Sequence, residues 1–280
     1  TINRDEVERY IVTIVDGDLK VFDLEGDEKV VQFPEGKSYL TSSDAKKDFK
    51  IVTVADSSFI INTKTVVTMR ADVASGALSG TKQVFSDLAG VGSEGTIFEI
   101  AGDPTNTFDN YYVKKVAGVW VEEVRPTELL GFDNATMPHR LLRNADGSFT
   151  FKTNTWGDRL VGDSESSPEP SFVGGSIKDI FFHRNRLGFI SNENVIFSAA
   201  SDFFNFWRES VMDVLDSDPV DVAVSHAKVS NLEHAIPFNK SLMLFSDQTQ
   251  FMLTGGTTLT AGNVSINTSF SSNSTTSSPI

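Results

Sequence analysis

Two arginines stand two apart in HRNRLGFISNEN, residues 183–194, followed at once by apolar residues and a polar turn. A guanidinium presents a planar fork of donors that suits carboxylate, phosphate or backbone carbonyl oxygens. In an extended chain Arg184 and Arg186 share one face, with Leu187 and Phe189 on the other. Gly188 and the SNEN turn mark the corner of a β-unit. Arg184, Asn185, Arg186 and Gly188 therefore read as a structural turn. Its arginines satisfy backbone carbonyls or pair with carboxylates rather than perform chemistry.

The other chemical candidates are weaker. Asp213, Asp216, Asp218 and Asp221 are the best carboxylate string for a cation, but the EF-hand spacing and its glycine are missing. Asp218-Pro219 signals a turn, and Val220, Val222 and Val224 then alternate as a strand, so turn and cap roles are expected. His139, His183, His226 and His234 lack the spacing of a zinc site. There is no cysteine, which excludes disulfides, thiolate metal sites and cysteine nucleophiles. Neither a G-x-S-x-G elbow nor a phosphate-cradling glycine loop occurs. We expect no catalytic residue, no metal and no cofactor. Glycosidase chemistry needs two carboxylates across a cleft, and with 38 acidic residues the sequence singles out no pair. Phe203, Phe204, Phe206 and Trp207, in SDFFNFWRES, could stack sugars or bases. They read instead as core or as a subunit contact.

The elements that must position these residues are strands. YIVTIVDGDLKVFDL, 10–24, is a hairpin about a DG turn, and LLRNADGSFTF, 141–151, is another. Strand patterns recur at 51–54, 59–61, 66–69, 96–100, 111–116 and 119–124. Helical periodicity is confined to short stretches around Lys82–Leu88 and Phe203–Glu209. The 22 Phe suit pleated, half-buried surfaces. No apolar run is long enough for a transmembrane helix. The sequons at Asn134, Asn263, Asn267 and Asn273 read as plain loop residues.

Three segments share one pattern: VTVADSSFIINTKTVVTM (52–69), FFHRNRLGFISNENVIFS (181–198) and IPFNKSLMLFSDQTQFML (236–253). Each runs strand, turn, strand, four-residue polar turn, strand. Ile60, Phe189 and Leu244 occupy matching positions, and Asn62, Ser191 and Ser246 open the second turn. The expected fold is all-β, with β-propeller-like repeated antiparallel meanders and a short inserted segment. The division is 1–69 as a first propeller-like part, 70–155 as an insertion with additional hairpins, and 156–280 as further blades. The chain reads as a fragment of something longer.

Several long runs resemble one family. PSFVGGSIKDIFFHRNRLGFISNENVIFSAASDFFNFW (170–207), DSDPVDVAVS (216–225) and NKSLMLFSDQTQFMLTGG (239–256) are similar to the tail nozzle proteins (tail tubular protein B) of T7-like short-tailed bacteriophages. So are INRDEVERYIVTIVDGDLKVFDLEGDEKVVQFPEG at the start, DFKIVTVADSSFIIN (48–62) and TMPHRLLRNADGSFTFK (136–152). The family's chain is longer, and its inserted module near 70–95 is short or missing here. The resemblance implies a structural virion protein with a propeller-like core. It implies a hexameric ring at the distal end of a short tail, docked to a tail adaptor protein (tail tubular protein A) and the tail fibres. Genome DNA would pass through the lumen without sequence-specific binding, and the host cell envelope would be met indirectly. The net charge of −14 is then in keeping with a wall that offers phosphates no grip. The alternative is a tail-associated glycan-degrading or glycan-binding propeller.

Overall fold

The computed structural model describes residues 1–3, 8–54, 56–102, 105, 110–225, 230–247 and 249–270. The chain opens with β1 (Ile2–Asn3), β2 (Arg9–Val15), β3 (Asp18–Phe22) and β4 (Glu28–Lys29), an antiparallel sheet in that order. The DG turn joins β2 to β3 because Gly17 adopts φ 72°, a region that glycine enters without steric cost. β5 (Val31–Gln32), one helical turn α1 (Ala45–Asp48), β6 (Phe49–Val54) and β7 (Ser57–Asn62) follow.

An excursion then carries its own sheet: β8 (Leu78–Lys82), β9 (Ile97–Ile100), β10 (Tyr111–Val116) and β11 (Val119–Glu123). It has a small core of Leu88, Phe98, Ile100 and Val113. The chain returns as β12 (His139–Arg143), which pairs with β7, and β13 (Phe149–Lys152). The second sheet is thus ordered β5-β13-β12-β7-β6. The hairpin of 141–151 belongs to it rather than to the excursion.

Two unbroken meanders complete the chain. They are β14 (Asp179–His183), β15 (Arg186–Ser191), β16 (Asn194–Phe197), β17 (Val220–Ala223), and β18 (Leu232–Phe238), β19 (Ser241–Ser246), β20 (Gln250–Thr254), β21 (Ser265–Phe270). The four sheets outside the excursion pack face to face in chain order. One apolar cluster, with Tyr10, Leu19, Val21, Ile60, Phe149 and Phe151, lies between the first and second sheets. A second, with Phe59, Ile61, Leu187, Phe189 and Ile196, lies between the second and third. A third, with Phe181, Ile190, Phe197, Leu244, Phe251 and Leu253, joins the third to the fourth. The fold is all-β, and no sheet closes on itself among the described residues.

The repeat survives in three dimensions. Ile60, Phe189 and Leu244 sit on β7, β15 and β19, and each is fully buried against the preceding sheet. Asn62, Ser191 and Ser246 end those strands and bond to neighbouring backbone. The third strand of the first unit differs from expectation. Residues 66–69 make only isolated bridges, Val66 to Ser176, Val67 to Val173 and Met69 to Phe132. β12 takes the third-strand place after the excursion.

Neither short helix expectation holds in α-helical form. Residues 82–88 are the end of β8 and a 3₁₀ turn at Phe85–Leu88. Residues 203–209 are turns and bends. There the Asp202 carboxylate accepts the Phe204 N–H, and the Asn205 side-chain oxygen accepts the Trp207 N–H at 2.9 Å. Such short side chains capture the amides a helix would use.

Gly188 is fixed by close approach. It pairs with Phe181 across β14–β15, and a Cβ there would overlap the Phe181 ring. Gly188→Ala is expected to cost about 1–3 kcal/mol through overpacking, seen as a lowered urea midpoint with an unchanged slope.

Candidate functional site

The arginine turn is the most densely bonded polar feature described. Arg184 (φ 49°) and Asn185 (φ 58°) both lie in the left-handed region, as a two-residue hairpin loop requires. Arg184 is therefore not extended as the simple strand reading assumed. Its guanidinium still donates to backbone carbonyls of Gly255, Gly256 and Lys240 in the fourth sheet's loops. Arg186 is 1% exposed on the face opposite Leu187 and Phe189. It donates to five carbonyls: Ser198 and Asp218 at 2.7 Å, Asp216 at 2.8 Å, Leu259 at 2.9 Å and Ser217 at 3.3 Å. Burial holds its pKa below the ordinary guanidinium value, against the opposing attraction of Asp218. Asn185 completes the turn, donating to Ser201 Oγ at 2.6 Å. The expectation that these arginines satisfy carbonyls is what the structure displays, and both are consumed by it.

The aspartate string does not converge. Asp213, Asp216 and Asp221 are exposed, whereas Asp218 is buried and accepts the Leu215 N–H. Asp221 caps the Ser171 N–H and accepts from Asn194. These are turn and cap roles. Among the described residues no three His, Cys, Asp or Glu side chains come together.

His139 is buried, stacked between Tyr39 (centroids 3.9 Å) and Phe151 (5.2 Å), and its Nδ1–H donates to the Met137 carbonyl. Burial lowers its pKa, and burial with the adjacent Arg184 lowers that of His183. His234 lies 3.8 Å from Asp179 where β14 meets β18. His226 lies outside the described residues.

The aromatic run divides by burial. Phe206 is 4% and Trp207 1% exposed, inside the cluster between the second and third sheets. Trp207 stacks on Phe132 and donates its indole N–H to the Gly157 carbonyl. In this fold these two are packing residues, because their contact surface is already used. Phe203 and Phe204 are half-buried at the cluster's edge.

Sequence reasoning missed two polar anchors. Arg159, also 1% exposed, lies 4.7 Å over the Trp207 ring and pairs with Glu128 at 3.2 Å. Its partners are distant in sequence, so no local motif announces it. Asp163 accepts the Tyr112 hydroxyl at 2.7 Å and the N–H groups of Glu165 and Ser166, tying the excursion to the 158–175 loop. Burial alone would raise its pKa, but these bonds hold it below the usual carboxylate value. The DxxS spacing was the available signal. A groove beside β3, β4 and β5 is lined by Lys20, Lys29 and Lys37, and each ammonium already pairs with a carboxylate.

These features define an all-β protein whose best-placed polar groups hold sheets and loops together. Comparison with known proteins agrees. The family described as "Bacteriophage nozzle protein" matches residues 1–79 and 70–279. "Tail tubular protein gp12" of Escherichia phage T7 is 32% identical over 376 residues, covering 95% of this chain and 47% of that protein. The chain belongs to the bacteriophage nozzle protein family and is a structural component of the virion tail. It spans about half the length of its T7 relative. The aligned length exceeds the 280 residues of this chain by 96, so the relative carries extra sequence within the matched span. The two family segments meet at 70–79, in the excursion.

Three outcomes are expected in urea unfolding. Arg186→Met should cost about 3–5 kcal/mol, because buried carbonyls lose their donor. Trp207→Ala should cost about 3–5 kcal/mol through a core cavity, with Phe203→Ala costing clearly less. The depressed folded pKa values of His139 and His183 make a contribution that is whole above the unfolded value of 6.5. It is lost as pH falls through the folded values, because the unfolded chain takes up protons first. Stability should therefore drop as pH falls below about 6.5, and His139→Gln should flatten that slope.

Proposed function

We propose that this chain is part of a nozzle subunit that forms a hexameric ring at the distal end of a short, non-contractile tail. The ring docks onto the tail adaptor and the tail fibres, and its lumen belongs to the conduit for genome ejection. The observation that carries this reading is family membership over nearly the whole chain. The four successive sheets support a propeller-like build, each covering its neighbour.

The role is mechanical, without catalysis. Arg184 and Arg186, whose guanidinium groups could grip phosphates, are spent on backbone carbonyls. The net charge of −14 suits DNA that must slide. A wall of like charge releases no counterions and holds no phosphate. The host envelope is met through the assembled tail rather than by a ligand site on this chain.

Native mass spectrometry over a range of concentrations tests the ring. Six subunits, formed alone or on addition of the adaptor, are the expected result. A strict monomer that ignores the adaptor would overturn the reading, and a basic lumen in the assembled ring would overturn the sliding argument.

A further inference from the structure

The loop 198–219 joins β16 to β17 at the end of the third sheet that carries the arginine turn. There Asn185 bonds Ser201, and the Ala200 N–H donates to the Ser217 carbonyl at 2.9 Å. The outer part of the loop, ESVMDVLD at 209–216, is pinned rather than slack. The Ser210 hydroxyl donates to Glu122 at 2.5 Å and accepts the N–H groups of Met212 and Asp213. The Val211 N–H donates to the same Glu122 carboxylate at 2.9 Å. This anchor holds Met212, 57% exposed, and Val214, 71% exposed, out in water. Glu209, Asp213 and Asp216 alternate with them along the loop. All three are exposed, and none is in an ion pair among the described residues.

The opposite end of the same sheet is basic. Lys178 precedes β14, and its ammonium lies 3.5 Å from the Thr63 carbonyl in the NTKT turn. The Thr63 N–H donates in turn to the Asp48 carbonyl, which brings α1 alongside. Lys46, Lys47, Lys50 and Lys64 thus gather at one end of the second and third sheets, in a chain whose net charge is −14. Lys46 and Lys50 are in no ion pair among the described residues. Lys47 pairs with Asp44 and Lys64 with Asp48, but the two lysine side chains are 81% and 69% exposed. Ion pairs so exposed hold weakly and exchange partners readily. Ile51 and Val66, 44% and 50% exposed, flank these lysines in sequence.

We propose that the 209–216 loop of one copy docks on the lysine end of the next, as a head-to-tail contact between nozzle subunits. The inference rests on the ring reading above and names the surfaces that would join the ring. The two patches are opposite in sign, and complementary charge selects partner and register. Each also carries exposed apolar side chains, the material of an interface core within a polar rim. A loop already held in one shape by Ser210 and Glu122 loses little freedom on docking. The patches lie at opposite ends of the same strands, so one copy cannot join its own two. A contact between unlike patches repeats from copy to copy, and it closes into a ring when the rotation allows.

Charge swapping in the complete nozzle polypeptide tests the contact. One variant carries Lys46→Glu, Lys47→Glu and Lys64→Glu; a second carries Glu209→Lys, Asp213→Lys and Asp216→Lys. Assembly is followed by analytical sedimentation over a range of concentrations, with the adaptor present. Either variant is expected to raise the concentration for half-assembly on the order of 100-fold, because like charges then meet across the contact. The chain carrying all six substitutions should recover assembly, which a folding defect would not permit. Normal assembly by either single-sided variant, or no recovery in the combined chain, would overturn the contact and leave the ring reading standing. A wild-type polypeptide that never assembles would overturn the ring reading and the contact together.

Discussion

A buried guanidinium must find an oxygen for its donors or pay heavily for leaving water. Arg186 finds five, all backbone carbonyls, from three stretches of chain: 198, 216–218 and 259. Those stretches are irregular and have no ladder of their own to satisfy them. The arginine does for them what a neighbouring strand would do. Arg184, held in a left-handed turn beside it, repeats the device on the carbonyls of residues 240, 255 and 256. One hairpin corner thereby fixes the loops of the third sheet and the rim of the fourth. The apolar cluster between those sheets then has a defined spacing in which Phe181 can lie over Gly188.

The same economy recurs at other polar groups of the interior, although Arg159 Nε and Nη2 find no protein partner among the described residues. Arg159 is placed between Trp207 and Glu128, Asp163 gathers Tyr112 and two amides, and His139 sits between two rings. Each links segments far apart in sequence. Polar groups so placed give a scaffold rigidity and register. This accords with the structural role proposed for the chain.

Much of this was legible in the residues. Period-two alternation, DG turns and the 52–69, 181–198 and 236–253 repeat located most strands, because each is a local signal. The arginine turn was legible as structural because Gly188 and the polar turn flank it. What the sequence hid is non-local. Residues 66–69 look like a third strand, but β7 already has β12 as its partner there. The run 203–209 looks helical until Asp202 and Asn205 claim the amides. Arg159 gave no sign, since its role depends on a tryptophan 48 positions away.

The excursion between β7 and β12 has a consequence for how the chain reaches this state. Ile60 and His139 are ladder partners 79 positions apart. The second sheet cannot zip by adding neighbouring hairpins, as the third and fourth can. It must wait for a long loop to close, which slows folding more than it costs stability. A loop that collapses first onto its own core of Leu88, Phe98, Ile100 and Val113 is effectively shorter. Closure entropy grows only with the logarithm of loop length, about 0.6 kcal/mol per doubling. Evolution can therefore lengthen or trim the excursion at little thermodynamic cost, provided its two ends still meet beside β7. The tempo of assembly, rather than the final architecture, is where a relative with the longer form should differ.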